Sequence, residues 1–351
     1  MILEVILIIA SLAMLVASSE ILVEFAAKFA RHIGVSELVI GMTVIAFGTS
    51  LPELINAITS SISGYSGIAI GNVLGANVSN IALILGISAI LGTIKIHSKV
   101  LTRDGILLFL GTAVLVFLML DGNLSHSDGL ILLVLFAGYL GYLFELRKYV
   151  ERALRFEEFF RRIVSLRRRE PRSEPKLLAR HRPLKKVLKK DIQFVLHALS
   201  FHSVGMFLVM ALSGIVLLLS ARLLVTNIVA LAESLGVTTA LISVTVVSIG
   251  TTMPELTVSI IAVRKKYTNL LIGNILGSNI ANSFVVLGAA AAIRPIPLDN
   301  VTGFFVVPFL ILMYIIFGLF AYTRRRITPK EGLLLLLAYA IFLLGSVLIH
   351  L

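Results

Sequence analysis

Gly48-Thr49-Ser50-Leu51-Pro52-Glu53 returns later in the chain as Gly250-Thr251-Thr252-Met253-Pro254-Glu255, and both copies lie inside long apolar stretches. A second block follows each copy. It reads Gly71-Asn72-Val73-Leu74-Gly75-Ala76-Asn77-Val78-Ser79-Asn80 first, and Gly273-Asn274-Ile275-Leu276-Gly277-Ser278-Asn279-Ile280-Ala281-Asn282 second. A single offset of 202 residues takes Thr49 to Thr251, Gly71 to Gly273 and Asn80 to Asn282, and upstream it takes Thr43 to Thr245. The chain is an internal duplication. Each copy sets a carboxylate, a proline and small hydroxyl residues within hydrocarbon, where an acid is expensive and by default marks a functional site.

Composition sets the surroundings of these blocks. With 58% hydrophobic and 14% charged residues and a mean hydropathy of +1.01, the chain reads as an all-α polytopic membrane protein. The formal charge of +12 does not point to nucleic acid, because 17 of the 31 Lys and Arg fall between Arg147 and Lys190 in one loop between spans. Cytoplasmic loops carry such an excess. The absence of cysteine excludes disulfides and thiolate metal sites. The first apolar segment lacks a basic start, runs past a signal's usual length and has a repeat partner near 201–230, so it reads as a span and not as a cleaved leader.

Hydropathy predicts ten spans, at 3–30, 38–61, 68–92, 104–120 and 128–146, then 202–231, 238–263, 269–293, 302–322 and 332–350. They group as a first five-helix repeat (1–146), a basic loop (147–200) and a second five-helix repeat (201–351). Placing the amino terminus outside puts Lys28, Arg31, Lys95, Lys99, Arg103, the central loop, Arg264, Lys265, Lys266, Arg324, Arg325, Arg326 and Lys330 in the cytoplasm, with only Arg294 outside. Five spans per repeat is an odd number, so the second copy enters the membrane inverted. Inverted repeats put ion sites near the midplane, on discontinuous helices. Pro52 and Pro254, one residue before their glutamates, are expected to break the second and seventh spans. Carbonyls freed by such a break are hard oxygen ligands. In the loop, phenylalanines among the basic residues allow an amphipathic helix on anionic lipid, beside the plainer reading of a topogenic loop.

Glu53 and Glu255, the hydroxyls of Thr49, Ser50, Thr251 and Thr252, and the amides of Asn77, Asn80, Asn279 and Asn282 together make an all-oxygen cage. Hard cations take such ligands, six to eight of them for Ca²⁺. Histidines occur only at loops and helix ends, which disfavours a soft transition-metal site. Two negative charges match one divalent or two monovalent ions, and that equivalence is a physical basis for exchange. Gly71, Gly75, Gly273 and Gly277 have the spacing that lets helices approach closely, so they read as packing positions and the asparagines as ligands.

The paired blocks resemble the α-repeats of the sodium/calcium exchanger family, within the calcium/cation antiporter superfamily, over essentially all ten spans. The resemblance implies an inverted five-plus-five fold in which the first and sixth helices slide against the other eight. It also implies antiport of Ca²⁺ against Na⁺ across the cell membrane, with no cofactor besides the transported ions and no required oligomer. Carried over by residue, Glu53 and Glu255 match the central carboxylates, and Thr49 and Thr251 match positions giving backbone and hydroxyl oxygens. Ser50 and Thr252 match sodium-site hydroxyls, Ala46 and Ser248 a carbonyl donor one turn earlier, and Asn80 and Ser278 a polar and a hydroxyl ligand. Two positions depart: Ala76 stands where exchangers often have serine, and Asn282 where many have aspartate.

Glu20 and Arg222 share the 202 offset on the first and sixth spans. They are candidate gate residues, although snorkelling or a structural pair explains them too. Within the superfamily, H⁺/Ca²⁺ or K⁺-dependent exchange remains an alternative, and a cation channel is the alternative from another class. An enzyme is not expected, because no H-E-x-x-H, no G-x-S-x-G and no P-loop is present.

Overall fold

The structure, a computed structural model, describes residues 2–96, 105–141, 143, 201–234 and 248–350. The basic segment 147–200 and the first part of the span expected at 238–263 lie outside them.

The described chain is helical. Its elements are α1 (Ile2–Ile33), α2 (Glu37–Thr49), α3 (Leu51–Ile62), α4 (66–91), α5 (Ile106–Leu118), α6 (His126–Gly141), α7 (Phe201–Ser234), α8 (Ser248–Thr251), α9 (Met253–Arg264), α10 (Thr268–Ile293), α11 (302–324) and α12 (Pro329–His350). Among the described residues, six helices are long and apolar enough to cross a bilayer, and the bent pair α2–α3 makes a seventh span; α5 and α6 are apolar but shorter. Large apolar side chains such as Phe117, Phe304 and Leu348 lie on the outside. Exposed side chains of this kind on apolar helices belong in lipid. The chain is an integral membrane protein.

The duplication reappears in the element boundaries. The α-helical part of α4, Ser66–Ser79, corresponds at the 202 offset to Thr268–Ala281 of α10. Each then widens into a π turn, Asn80–Ile84 and Asn282–Val286, and resumes as Leu85–Leu91 and Leu287–Ile293. These two helices form the interior, with 78% and 94% of their apolar windows buried, against 28% for both α1 and α7.

The α2–α3 pair bends by 44°. The turn falls at Ser50 (φ −83°, ψ 6°) and, in the second copy, at Thr252 (φ −90°, ψ 2°), two residues before each proline. Both sit in the sparsely allowed bridge region where functional residues often lie. The offset from the expected position is physical. Pro52 lacks the N–H that would bond the Gly48 carbonyl, yet a proline is tolerated in the first turn of the helix that follows. The damage therefore appears upstream of the ring.

Helices α1 and α7 pack antiparallel. Phe29 near the end of α1 stands 6.3 Å (ring centroids) from Phe207 near the start of α7, and His32 stands 6.4 Å from His202. Two short antiparallel ladders tie the remaining helix ends. β1 (Ile94–Lys95) pairs with β4 (Arg326–Ile327), and β2 (Asn123–Leu124) with β3 (Ile296–Pro297). Helix α11 lies between β3 and β4 in sequence, so the two ladders stand at its opposite ends.

Close helix approach is seen where the second-copy glycines cross α2. A β-carbon on Gly273 would strike the Leu38 carbonyl, one on Gly277 would lie 2.5 Å from the Met42 carbonyl, and one on Gly41 would lie 2.6 Å from the Leu270 carbonyl. The packing role expected for Gly273 and Gly277 is met. For Gly71 and Gly75 the equivalent facing positions, 240 and 244, lie outside the described residues.

Candidate functional site

The site grows from the two broken helices and the two interior ones. Pro52 and Pro254 start α3 and α9, so Glu53 and Glu255 occupy the first turns of those helices. There the unpaired N–H groups give a positive potential that favours a carboxylate. Both glutamates are buried, at 1% and 2% exposure. They lie close enough to interact electrostatically, and the Thr49 hydroxyl reaches the Glu255 carboxylate. Among the described residues neither glutamate has an ion-pair partner. Ionised together without a counter-ion, the two would cost several kcal/mol each, so the pair is suited to holding a cation.

Helices α4 and α10 supply the neutral oxygens. Asn274, Ser278 and Asn282 are four residues apart and share one face of α10. The matching face of α4 carries Asn72, Ala76 and Asn80, so Ser278 has no hydroxyl counterpart in the first copy. The four central asparagines are crossed between the copies. Asn80 Nδ2 donates to Asn279 Oδ1 at 2.7 Å, and Asn282 Nδ2 donates to Asn77 Oδ1 at 3.1 Å. Asn77 Nδ2 reaches the Asn279 carbonyl at 3.5 Å and Ser283 Oγ at 3.0 Å, while Asn279 Nδ2 reaches the Asn77 carbonyl at 3.4 Å. Asn77 and Asn279, grouped with the cage on sequence grounds, thus use their side-chain oxygens on each other's neighbours.

What remains without a donor is informative. Both carboxylate oxygens of Glu53, Oε2 of Glu255, Oγ of Ser50 and Ser278, and Oδ1 of Asn80 and Asn282 are buried and have no hydrogen-bond partner. These are seven oxygens from both copies, and a native interior rarely leaves such groups unsatisfied. Oxygen is also the donor type that hard cations such as Ca²⁺ take. Among the described residues there is no cluster of three or more His, Cys, Asp or Glu, so the negative charge comes from the glutamate pair alone.

The other expected residues are placed as follows. Ala46 is fully buried, and its carbonyl lies 3.3 Å from the Thr49 hydroxyl and 3.0 Å from the Ser50 N–H. Thr251 and Thr252 occupy the mirrored turn, with Thr252 buried, and Ser248 opens α8. Glu20 and Arg222 are exposed on α1 and α7, with no ion pair between them. Glu24, one turn on, accepts from Lys28 at 2.7 Å and from Lys265 at 3.1 Å, joining α1 to the end of α9. A cavity of about 230 Å³ between α1, α7 and the break has Thr49 and Gly48 in its wall, and its other lining, including Leu22, Phe207 and Met210, is almost wholly apolar.

The two contacts of Asn274 were missed by sequence reasoning. Asn274 Oδ1 lies 3.4 Å from the Thr49 hydroxyl, and Asn274 Nδ2 lies 3.4 Å from Ser259 Oγ. The signal existed, since Asn72 and Asn274 are duplicated and Asn274 leads the four-residue spacing to Ser278 and Asn282.

Comparison with known proteins gives a consistent result. Residues 3–145 and 205–348 match the family described as sodium/calcium exchanger protein. The chain is 32% identical to the sodium/calcium exchanger MaX1 of Methanosarcina acetivorans, over 95% of each chain. It is 33% identical to the inner membrane protein YrbG of Escherichia coli, over 96% of this chain and 94% of that one. A solved structure of the sodium-calcium exchanger NCX_Mj superposes with a TM-score of 0.76 at 28% identity, over 97% of both chains.

Proposed function

The chain belongs to the sodium/calcium exchanger family, and from that premise we propose that it is a secondary antiporter moving Ca²⁺ against Na⁺ by alternating access. It is a transporter and not an enzyme. The observation that carries this reading is the pair of buried glutamates, one from each copy and close enough to interact, with donor-free oxygens of Ser50, Asn80, Ser278 and Asn282 on the broken and interior helices. Glu53 and Glu255 supply the charge. Ser50, Asn80, Ser278 and Asn282 supply neutral oxygens, Thr49, Thr251 and Thr252 further hydroxyls, and Ala46 and Ser248 carbonyls. One Ca²⁺ or two Na⁺ neutralise the pair, whereas the empty site keeps its charge and resists crossing a low-dielectric barrier. That difference couples the two fluxes. The donors all come from one chain, so exchange needs no second copy.

The same reading takes the fold as ten spans in two inverted halves, with the amino terminus outside and segment 147–200 in the cytoplasm of a cell-membrane protein. Three relationships support it. The equivalent helices α1 and α7 run antiparallel. The equivalent strands β1 and β3 belong to ladders at opposite ends of α11. Contacts also join segments assigned to the same side: Glu24 with Lys265 on the cytoplasmic side, and the Ser66 hydroxyl with the Pro295 carbonyl at 3.0 Å on the outer side.

The test is calcium-45 uptake into sodium-loaded proteoliposomes of the purified full chain. Uptake should follow the outward Na⁺ gradient and stop when it is collapsed. Uptake driven by a pH gradient and indifferent to Na⁺, or a conductance with no counter-ion, would overturn sodium coupling.

A further inference from the structure

We propose that Asn77 and Asn279 are positioning residues which hold the side-chain oxygens of Asn80 and Asn282 toward the ion. The inference deepens the exchange reading and rests on it. An asparagine amide has an oxygen on one side and an NH₂ on the other, nearly identical in shape. Turned one way it ligates a cation; turned the other it repels one. Something must fix the choice.

At both positions the fixing group is an asparagine of the opposite copy. The Asn80 NH₂ is taken by Asn279 Oδ1 at 2.7 Å, which leaves Asn80 Oδ1 free and buried. The Asn282 NH₂ is taken by Asn77 Oδ1 at 3.1 Å, which leaves Asn282 Oδ1 free and buried. The two acceptors are themselves fixed, because each sends its own NH₂ to the other's main-chain carbonyl, at 3.5 and 3.4 Å. Asn77 is held further by Ser283 Oγ at 3.0 Å. All four side chains are buried to within 1%, so no water competes for the NH₂ groups. The network is reciprocal between the copies, and rotating any one amide breaks a bond at the next. Partners that orient metal ligands in this way typically change affinity 10- to 100-fold when removed.

The test uses the fact that a carboxylate has two equivalent oxygens and needs no orienting. Equilibrium calcium-45 binding and sodium-driven uptake are measured for the full chain with Asn279→Leu, alone and in the Asn80→Asp background. Asn279→Leu alone should weaken Ca²⁺ binding by about tenfold. In the Asn80→Asp background the same change should cost less than about twofold, since the orientation it controls no longer matters. The mirror pair, Asn77→Leu with and without Asn282→Asp, gives an independent reading if either protein fails to fold. Equal weakening in both backgrounds, or no weakening at all, overturns the positioning role. An unmodified protein without sodium-driven uptake sinks the exchange reading beneath it, whereas normal exchange with background-independent variants sinks the positioning role alone.

Discussion

The Thr49 hydroxyl stands 3.4 Å from Asn274 Oδ1, linking the end of the first broken half-helix to the interior helix of the other copy across 225 residues of sequence. A hydroxyl has one proton, and the Ala46 carbonyl, Asn274 Oδ1 and the Glu255 carboxylate all compete for it. Donated to the Ala46 carbonyl or to Asn274 Oδ1, the proton leaves the Thr49 lone pairs free for an ion; donated to Glu255, it stabilises that carboxylate. Thr49→Val keeps the shape but removes this oxygen, and a hydrogen bond to a charged group is worth about 1.5 kcal/mol or more. The half-saturating Ca²⁺ concentration for uptake should rise by roughly tenfold in Thr49→Val. In Thr49→Ser it should stay within about twofold.

Glu53 and Glu255 should lower the stability of the empty protein while being required for its activity. Without an ion they are two buried acids with no basic partner among the described residues. Removing one charge relieves an electrostatic cost of several kcal/mol. Glu53→Gln and Glu255→Gln should therefore raise the melting temperature in chelator by about 2 °C or more. Ca²⁺ should stabilise the unmodified protein by mass action and leave either variant unmoved. Thermal unfolding in detergent with and without Ca²⁺ reads both effects. A fall in chelator stability in both variants would show that the carboxylates serve as structural hydrogen-bond partners.

The crossing of α2 and α10 has no room for a methyl group. Gly273 faces the Leu38 carbonyl and Gly41 faces that of Leu270, so either alanine substitution must push two backbones apart. Overpacking of this kind costs about 1–3 kcal/mol. Gly273→Ala should lower the melting temperature and reduce uptake, because the displaced helix carries Asn274, Ser278 and Asn282. Gly205→Ala, with open space around it, should do neither.

The repeated motifs carried most of this candidate site in plain view, because burying an acid, an amide or a proline in hydrocarbon is costly enough to need a reason. The glutamates, Asn80 and Asn282 were legible on that ground alone. The position of the break was not. A proline acts on the carbonyl four residues upstream, so the turn forms at Ser50 and Thr252 while Pro52 and Pro254 sit in regular first turns. The π turns beginning at Asn80 and Asn282 left no mark in composition, since widening a helix by one residue changes hydrogen-bond register and not hydrophobic pattern. Nor does sequence show which way an amide points. That depends on contacts such as Asn80 with Asn279, which lie 199 residues apart.

In the proposed site, the residue at position 282 sets how much charge is present. On the proposed reading, with an amide there the glutamate pair is the only negative charge among the described residues, and one Ca²⁺ makes the loaded site neutral. Asn282→Asp adds a third acid and removes the NH₂ that Asn77 Oδ1 accepts, leaving two oxygens facing each other where a hydrogen bond of 3.1 Å had been. Attraction for the cation grows, so the Ca²⁺ concentration needed for half-maximal uptake should fall. The loaded site would then retain a net negative charge, and moving an uncompensated charge through a low-dielectric barrier is slow. Maximal uptake should accordingly drop several-fold while apparent affinity rises, a split that simple damage to the fold does not produce. Concentration series of calcium-45 uptake at fixed Na⁺ gradient separate the two parameters. If affinity and maximal rate both stay unchanged, the charge at this position has no part in setting the load, and the two-glutamate account of neutrality is wrong.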